Sequence, residues 1–273
     1  MAGHILRHGE AGTVNLTEAR RFYEMGAVRG HPDALVALGE MGLEGQAGLT
    51  DSDAYSYLTR ASDAGRTDAT RALAEMARTG RGTAKSVETE RDMLNRASAS
   101  FDAEATKRLA DTYYETDARK ALELYEEAAR AGHAEAAYAA GVMYATNFDI
   151  RPDEEKSAYW LATAARTGHA AAQADYGLMV YQGAGGVPRD ESGAAEWFRK
   201  SAEGGDSEGA FLYAFTLAKG EGVDRDFGEA YYWLLKSGES TVDDYQQDRA
   251  TLRERLEANV DPAVLAAARA RLE

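Results

Sequence analysis

The chain has 273 residues, 44% of them hydrophobic, with four prolines, no cysteine and a formal net charge of −15. An acidic surface disfavours nucleic acid and anionic membranes, and no run approaches the ~18 apolar residues of a membrane span. The absence of cysteine excludes disulfide stapling and permits an oxidising compartment.

In chain order, Met1 to Gly12 reads as the second half of a helix with its turn, so the pattern begins in mid-repeat. The expectation is that an upstream segment has been removed. Ala2 to Ala11, with Arg7, Glu10 and two histidines, has no apolar core of a signal peptide. Asn15 to Arg29 is the partner helix, with Thr17 as its expected N-cap. Helix pairs follow at Asp33–Gly45 with Asp51–Ala64, and at Asp68–Thr79 with Val87–Ser98. The latter is the most divergent copy: it has Glu90 where the others have a small residue, and it ends on Phe101 instead of glycine. In the pair Asp102–Tyr114 and Ala118–Ala131 the glycine turn is missing and about three residues close the hairpin, so a local change of superhelical twist is expected.

Glu135–Ala145 and Glu154–Thr167 are joined by TNFDIRPD, where an Asn and a Pro replace the glycines. Ala170–Gln182 then leads through Gly183, Gly185, Gly186 and Pro188 into a second amphipathic helix. There Ala194, Trp197, Phe198 and Ala202 share a face. Glu208–Ala218 and Phe227–Ser237 make the last full pair. Beyond Gly238 the period stops, and Val242–Ala258 and Pro262–Leu272 read as two further helices, the second with Asp261 as cap and Pro262 at its first position.

These pairs share one period. A small residue recurs at Gly3, Gly39, Ala74, Ala110, Gly141, Gly177 and Ala214, and the second helices end at Gly30, Gly65, Phe101, Gly132, Gly168 and Gly205. Two independent marks with the same spacing of about 36 residues define a repeat array, in which each hairpin buries its apolar face only by stacking on neighbours.

The segments GLMVYQGAGGVPRDESGAAEWFRKSAEGG and FTLAKGEGVDRDFGEAYYWLLKSG, with AARTGH and KALELYEEAARAGH, resemble the Sel1-like repeat family, relatives of the tetratricopeptide repeats. The resemblance implies an all-α fold: a right-handed α-solenoid of antiparallel helix pairs over residues 1–240, with a C-terminal capping helix pair over 241–273. It further implies a non-enzymatic protein–protein interaction adaptor or regulator in bacterial envelope signalling or assembly. The alternative is a carbohydrate-binding scaffold of a polysaccharide secretion system. The alanine-rich units resemble periplasmic regulators of exopolysaccharide production, which with the absence of cysteine favours the periplasm over the cytoplasm.

No nucleophile elbow, zinc-protease helix, P-loop or dinucleotide fingerprint is present, and GAGGVP lacks the Lys-Ser/Thr of a phosphate cradle. No catalytic residue, metal or cofactor is expected. His31, His133 and His169 each follow a terminal glycine, too far apart along the array to share a zinc ion. The column Phe22, Tyr57, Met93, Leu124, Trp160, Trp197 and Trp233 recurs at the repeat period, which reads as packing between layers, not a stacking platform. By analogy with tetratricopeptide geometry, the first helices line a concave surface. Its first half is charged and its second half apolar and aromatic. The residues expected to bind a protein or peptide partner there are Arg71, Arg78, Lys107, Tyr114, Tyr138, Leu178, Tyr181, Phe211 and Phe215. Neither nucleic acid nor membrane insertion is expected, a glycan is the alternative ligand, and capping helices folded over Phe211 and Phe215 would make those two core.

Overall fold

Each second helix of the array opens on a side chain that takes a backbone N–H left free at the first turn. Asn15, Thr50, Ser86, Asp117, Asp153, Asp190 and Asp226 all accept from the amide three residues on, at 2.9–3.2 Å. Thr50 and Asp53 cap each other reciprocally. The first of these caps is Asn15, not Thr17, because the helix begins at Leu16, two residues earlier than a cap at Thr17 would allow. Four of the first helices are capped by a side chain just after the residue that ends the preceding helix turn, whereas His31 and Arg66 make no such bond. Asp102, His133, His169 and Asp206 accept from the amide three residues on, which is the work the two histidines do.

The computed structural model describes residues 2–9, 12–146, 149–238 and 245–272, and among them helices are the only regular elements. They are α1 (Ala2–His8), α2 (Leu16–Val28), α3 (Pro32–Leu43), α4 (Asp51–Asp63), α5 (Thr67–Thr79), α6 (Val87–Ser98), α7 (Ala103–Tyr113) and α8 (Ala118–Arg130). The rest are α9 (Ala134–Thr146), α10 (Glu154–Arg166), α11 (Ala170–Gln182), α12 (Glu191–Glu203), α13 (Ser207–Lys219), α14 (Phe227–Lys236), α15 (Gln246–Asn259) and α16 (Pro262–Ala270). The chain is an α-solenoid of antiparallel helix pairs. The expected linker residues Asn147 and Phe148, the start of the helix expected from Val242 and the boundary at 240 lie outside the described residues.

The contacts divide the chain into two compact units, Met1–Leu124 and Tyr125–Glu273. In the first, α3 pairs with α4 and α5 with α6, while α2–α3, α4–α5 and α6–α7 join successive repeats. In the second, α9–α10, α11–α12 and α13–α14 are the hairpins, α11 also touches α13, and both α15 and α16 pack on α14. The small residue that marks the period sits under a large side chain of its partner helix. A Cβ on Gly177 would stand 2.8 Å from the Phe198 ring, and one on Gly141 2.8 Å from Leu161. Leu58, Leu94, Leu161, Phe198 and Leu234 hold that partner position, each at most 5% exposed. Each contributes about 1.5–3 kcal/mol by leaving water.

The turn glycines join layers as well as turning the chain. A Cβ on Gly82 would collide with the carbonyl of Asp51, one on Gly185 with that of Glu154 and one on Gly222 with that of Glu191. Each turn therefore rests on the first residue of the preceding repeat's second helix. Ser192 completes the last of these contacts by donating to the Gly222 carbonyl at 2.8 Å. Where the glycine turn is missing, between α7 and α8, Arg91 of α6 takes its place. Its guanidinium donates to Thr112 Oγ1 at 3.0 Å and Thr116 Oγ1 at 3.3 Å and lies 4.1 Å from the centre of the Tyr113 ring.

Candidate functional site

The residues expected to bind a partner fall in both units. In the first unit the expected partner-binding cations already have carboxylates. Arg71 pairs with Asp102, the cap of α7, at 3.0 Å, and so ties one repeat to the next. Arg78 pairs with Glu75, which also receives Arg108 from α7 at 2.8 Å. Lys107 pairs with Asp111 at 3.3 Å. Tyr114, at the end of α7, is 41% exposed and stands apart from these pairs. Arg78, Glu75, Arg108 and Asp111, with Val87, Glu90 and Thr112, line a cavity of about 540 Å³.

In the second unit Tyr138 is half-buried on α9. Its ring stacks on His169, the cap of α11, with centroids 4.4 Å apart. Its hydroxyl hydrogen-bonds to Asp175, and burial followed by this acidic neighbour drives its pKa well above the usual tyrosine value. Burial likewise raises the Asp175 carboxyl to about 6 against the bond from Tyr138, and it lowers His169 below the usual imidazole range. Tyr138 thus locks α9 to α11 with both its ring and its hydroxyl.

Further along, Leu178, Tyr181 and Phe215 wall a pocket of about 300 Å³ whose floor is the buried Phe198, Phe211 and Leu212. Gln182 stands at the rim, and Tyr245 and Asp248, at the start of α15, line the other side. The Tyr181 hydroxyl donates to Glu221 at 2.6 Å, and the Lys219 ammonium lies 4.2 Å from the Phe215 ring centre.

Phe211 is a correction to the expected surface. It is 2% exposed, with the Tyr245 ring at 5.3 Å and the Arg249 guanidinium at 5.2 Å. Arg249, itself 5% exposed, donates to Ser237 Oγ at 3.2 Å and to the Ser207 carbonyl at 3.0 Å. The start of α15 therefore covers Phe211 and leaves Phe215 half-exposed at the pocket wall. Sequence reasoning missed Tyr245 and Asp248, since they lie beyond the period and no register offset places them. It also missed the cavity beside Glu90, although the loss of alanine there is its signal.

The aromatic column is buried packing at Leu124, Trp160 and Trp233, half-buried at Tyr57, Met93 and Trp197, and exposed at Phe22. Trp160 and Trp233 are buried, and Trp197 meets Tyr176 edge-on at 5.6 Å. Among the described residues no group of three His, Cys, Asp or Glu could hold a metal, and no helix is long and apolar enough to cross a membrane.

The Sel1 repeat pattern matches residues 1–31, 32–65, 108–133, 134–169, 170–206 and 207–241, passing over the divergent copy. Among solved structures, a Sel1 repeat protein from Oxalobacter formigenes is 25% identical with a TM-score of 0.77, over 93% of this chain and 75% of that one. A protective antigen of uropathogenic Escherichia coli displaying an SLR fold is 23% identical with a TM-score of 0.54, over 98% of this chain and 65% of that one. Among curated proteins, the chitin synthase regulator SKT5 of Saccharomyces cerevisiae is 26% identical over 245 residues, 86% of this chain. The match spans 31% of that regulator's length. Sel1 repeat proteins are generally non-catalytic scaffolds that bind other proteins. With six such repeats over most of its length, the chain belongs to the Sel1 repeat family.

Proposed function

We propose that the chain is a non-enzymatic adaptor or regulator that holds a protein or peptide partner along the first helices of its repeats. The pocket between Leu178, Tyr181, Phe215 and Tyr245 receives one apolar side chain of that partner. The observation that carries this reading is the pocket's construction: a fully buried apolar floor, half-buried aromatic walls and a polar rim of Gln182 and Asp248. Interface hot spots are built this way, an apolar centre shielded from water by a hydrogen-bonding edge. Filling it with one large apolar side chain contributes about 2–3 kcal/mol.

The setting we propose is bacterial envelope signalling or assembly, following the family resemblance, with SKT5 as a relative that is by name a regulator. The polypeptide reading is favoured over the glycan one because sugar rings need flat, free aromatic faces. Here Trp160 and Trp233 are buried, and the Lys200 ammonium lies 4.5 Å from the Trp197 ring centre.

The test compares the intact chain with a Tyr181→Ala, Phe215→Ala variant, both immobilised, with captured proteins identified by mass spectrometry and Tm measured in parallel. The expected outcome is a partner held by the wild type and reduced at least tenfold on the variant, with Tm lowered by no more than about 5 °C. Equal capture by both proteins refutes the assignment, and a collapse of Tm reassigns the two rings to the core.

A further inference from the structure

In every repeat but one, the second helix carries a small residue four positions after its cap. Ala19, Ala54, Ala121, Ala194 and Ala230 fill that position at 0% exposure, and Ser157 at 1%. In the divergent copy the same position is Glu90, a carboxylate only 6% exposed. It lines the cavity of about 540 Å³ between α5, α6 and α7, a volume within the range of small-ligand sites. Its carboxylate makes no hydrogen bond and no ion pair among the described residues, and its oxygens still meet water at the cavity.

The neighbouring charges do not satisfy it. Arg108, Arg78 and Arg91 lie near enough to act on Glu90 through space, yet the first two are drawn to Glu75 and Arg91 to Thr112 and Thr116. The remaining acid of the wall, Asp111, pairs with Lys107. The cavity therefore holds one carboxylate that lacks donors, beside a Glu75 already held by Arg78 and Arg108. A planar guanidinium or an ammonium supplies the missing donors and the missing charge together.

We propose that this cavity is a binding site for a cationic side chain, arginine or lysine, of a partner polypeptide, with Glu90 as the residue that pairs with it. The site deepens the interaction-scaffold reading, on which it rests, but it lies in the first unit and shares no residue with the aromatic pocket. Burial holds the Glu90 pKa above the ordinary glutamate value. Protonation at mildly acidic pH therefore weakens the pairing.

The probes are Nα-acetyl-arginine-N-methylamide, its lysine counterpart and its uncharged citrulline counterpart. They are titrated into the isotope-labelled full chain at pH 7.5 and followed at the amides of Val87, Glu90, Arg108 and Thr112. The expected result is saturable shifts with the arginine or lysine probe and none with citrulline. Affinity should fall at least tenfold in Glu90→Gln, which keeps the shape and removes the charge. Glu90→Ala restores the residue of the other repeats and serves as the folded control for packing. Shifts that do not saturate, an equal response to citrulline or unchanged affinity in both variants would overturn the site as solvent-filled space. Those outcomes leave the aromatic pocket of the second unit untouched, because its test uses other residues and another readout.

Discussion

Asp175 carries an unusual balance, because a hydrogen bond from Tyr138 is set against burial and the like charge of Asp206. Burial dominates, and the folded-state carboxyl sits at about 6 against an ordinary aspartate near 4. The folded protein therefore holds a proton at pH 5 that the unfolded chain has released. Asp175 thus supports the fold below pH ~4 and loses that support as pH rises through 6, by about 3 kcal/mol in all. His169 works in the opposite sense, since burial lowers its pKa and its contribution is lost as pH falls through the ordinary imidazole value of ~6.5. Asp175→Asn keeps an acceptor for Tyr138 and removes only the first of these. Its stability relative to wild type should rise by about 2–3 kcal/mol between pH 4 and pH 7 in urea unfolding. A flat difference across that range would show that the carboxyl is ordinary.

At the scale of the helix and its turn, the repeat depends on which glycines bend the chain and which also bear a neighbour. Gly205 has φ of 86° and open space around it, whereas Gly222 has φ of 73° and rests against the backbone of Glu191. Gly205→Ala should cost about 1 kcal/mol, the left-handed penalty less the entropy that glycine loses on folding. Gly222→Ala must also push two repeats apart and should cost about 3 kcal/mol. Equal losses in thermal unfolding would refute the interlayer role. This distinction marks how far the residues alone reach. Period, helix pairs and the packing role of the tryptophans follow from spacing, because every repeat repeats the same local physics. The glycines of the turn were legible as bends, but the carbonyl beneath them belongs to the preceding repeat. The same applies to Phe211, Arg71 and Tyr138, which register offsets place on a groove. Their partners Tyr245, Asp102 and Asp175 come from other helices, and only the stacked layers bring them together.

Across the whole array, cohesion is a sum of neighbour contacts, so a weak layer is not rescued by a distant strong one. The weakest features fall together in α6, α7 and the segments around them. Glu90 replaces a packed alanine, and Arg91 side-chain bonds replace a backbone-to-backbone turn contact. Phe101, 95% exposed, takes φ of 62° where the other repeats place glycine, a conformation that costs about 1 kcal/mol or more in an L-residue. By contrast, α11 and α12 are joined by a glycine turn that rests on Glu154, and α12 and α13 bury Phe198, Phe211 and Leu217. Native-state hydrogen exchange should therefore show opening of α6 and α7 at a free energy lower by about 2 kcal/mol or more than that of α11–α13. Phe101→Gly should narrow the gap by raising only the former. Uniform protection along the chain would mean that the array unfolds as one cooperative body, and the divergent copy would then be no weaker than the rest. If the gap is found, local opening at α6 and α7 also exposes the Glu90 cavity, so a ligand seated there should raise protection in those two helices and nowhere else.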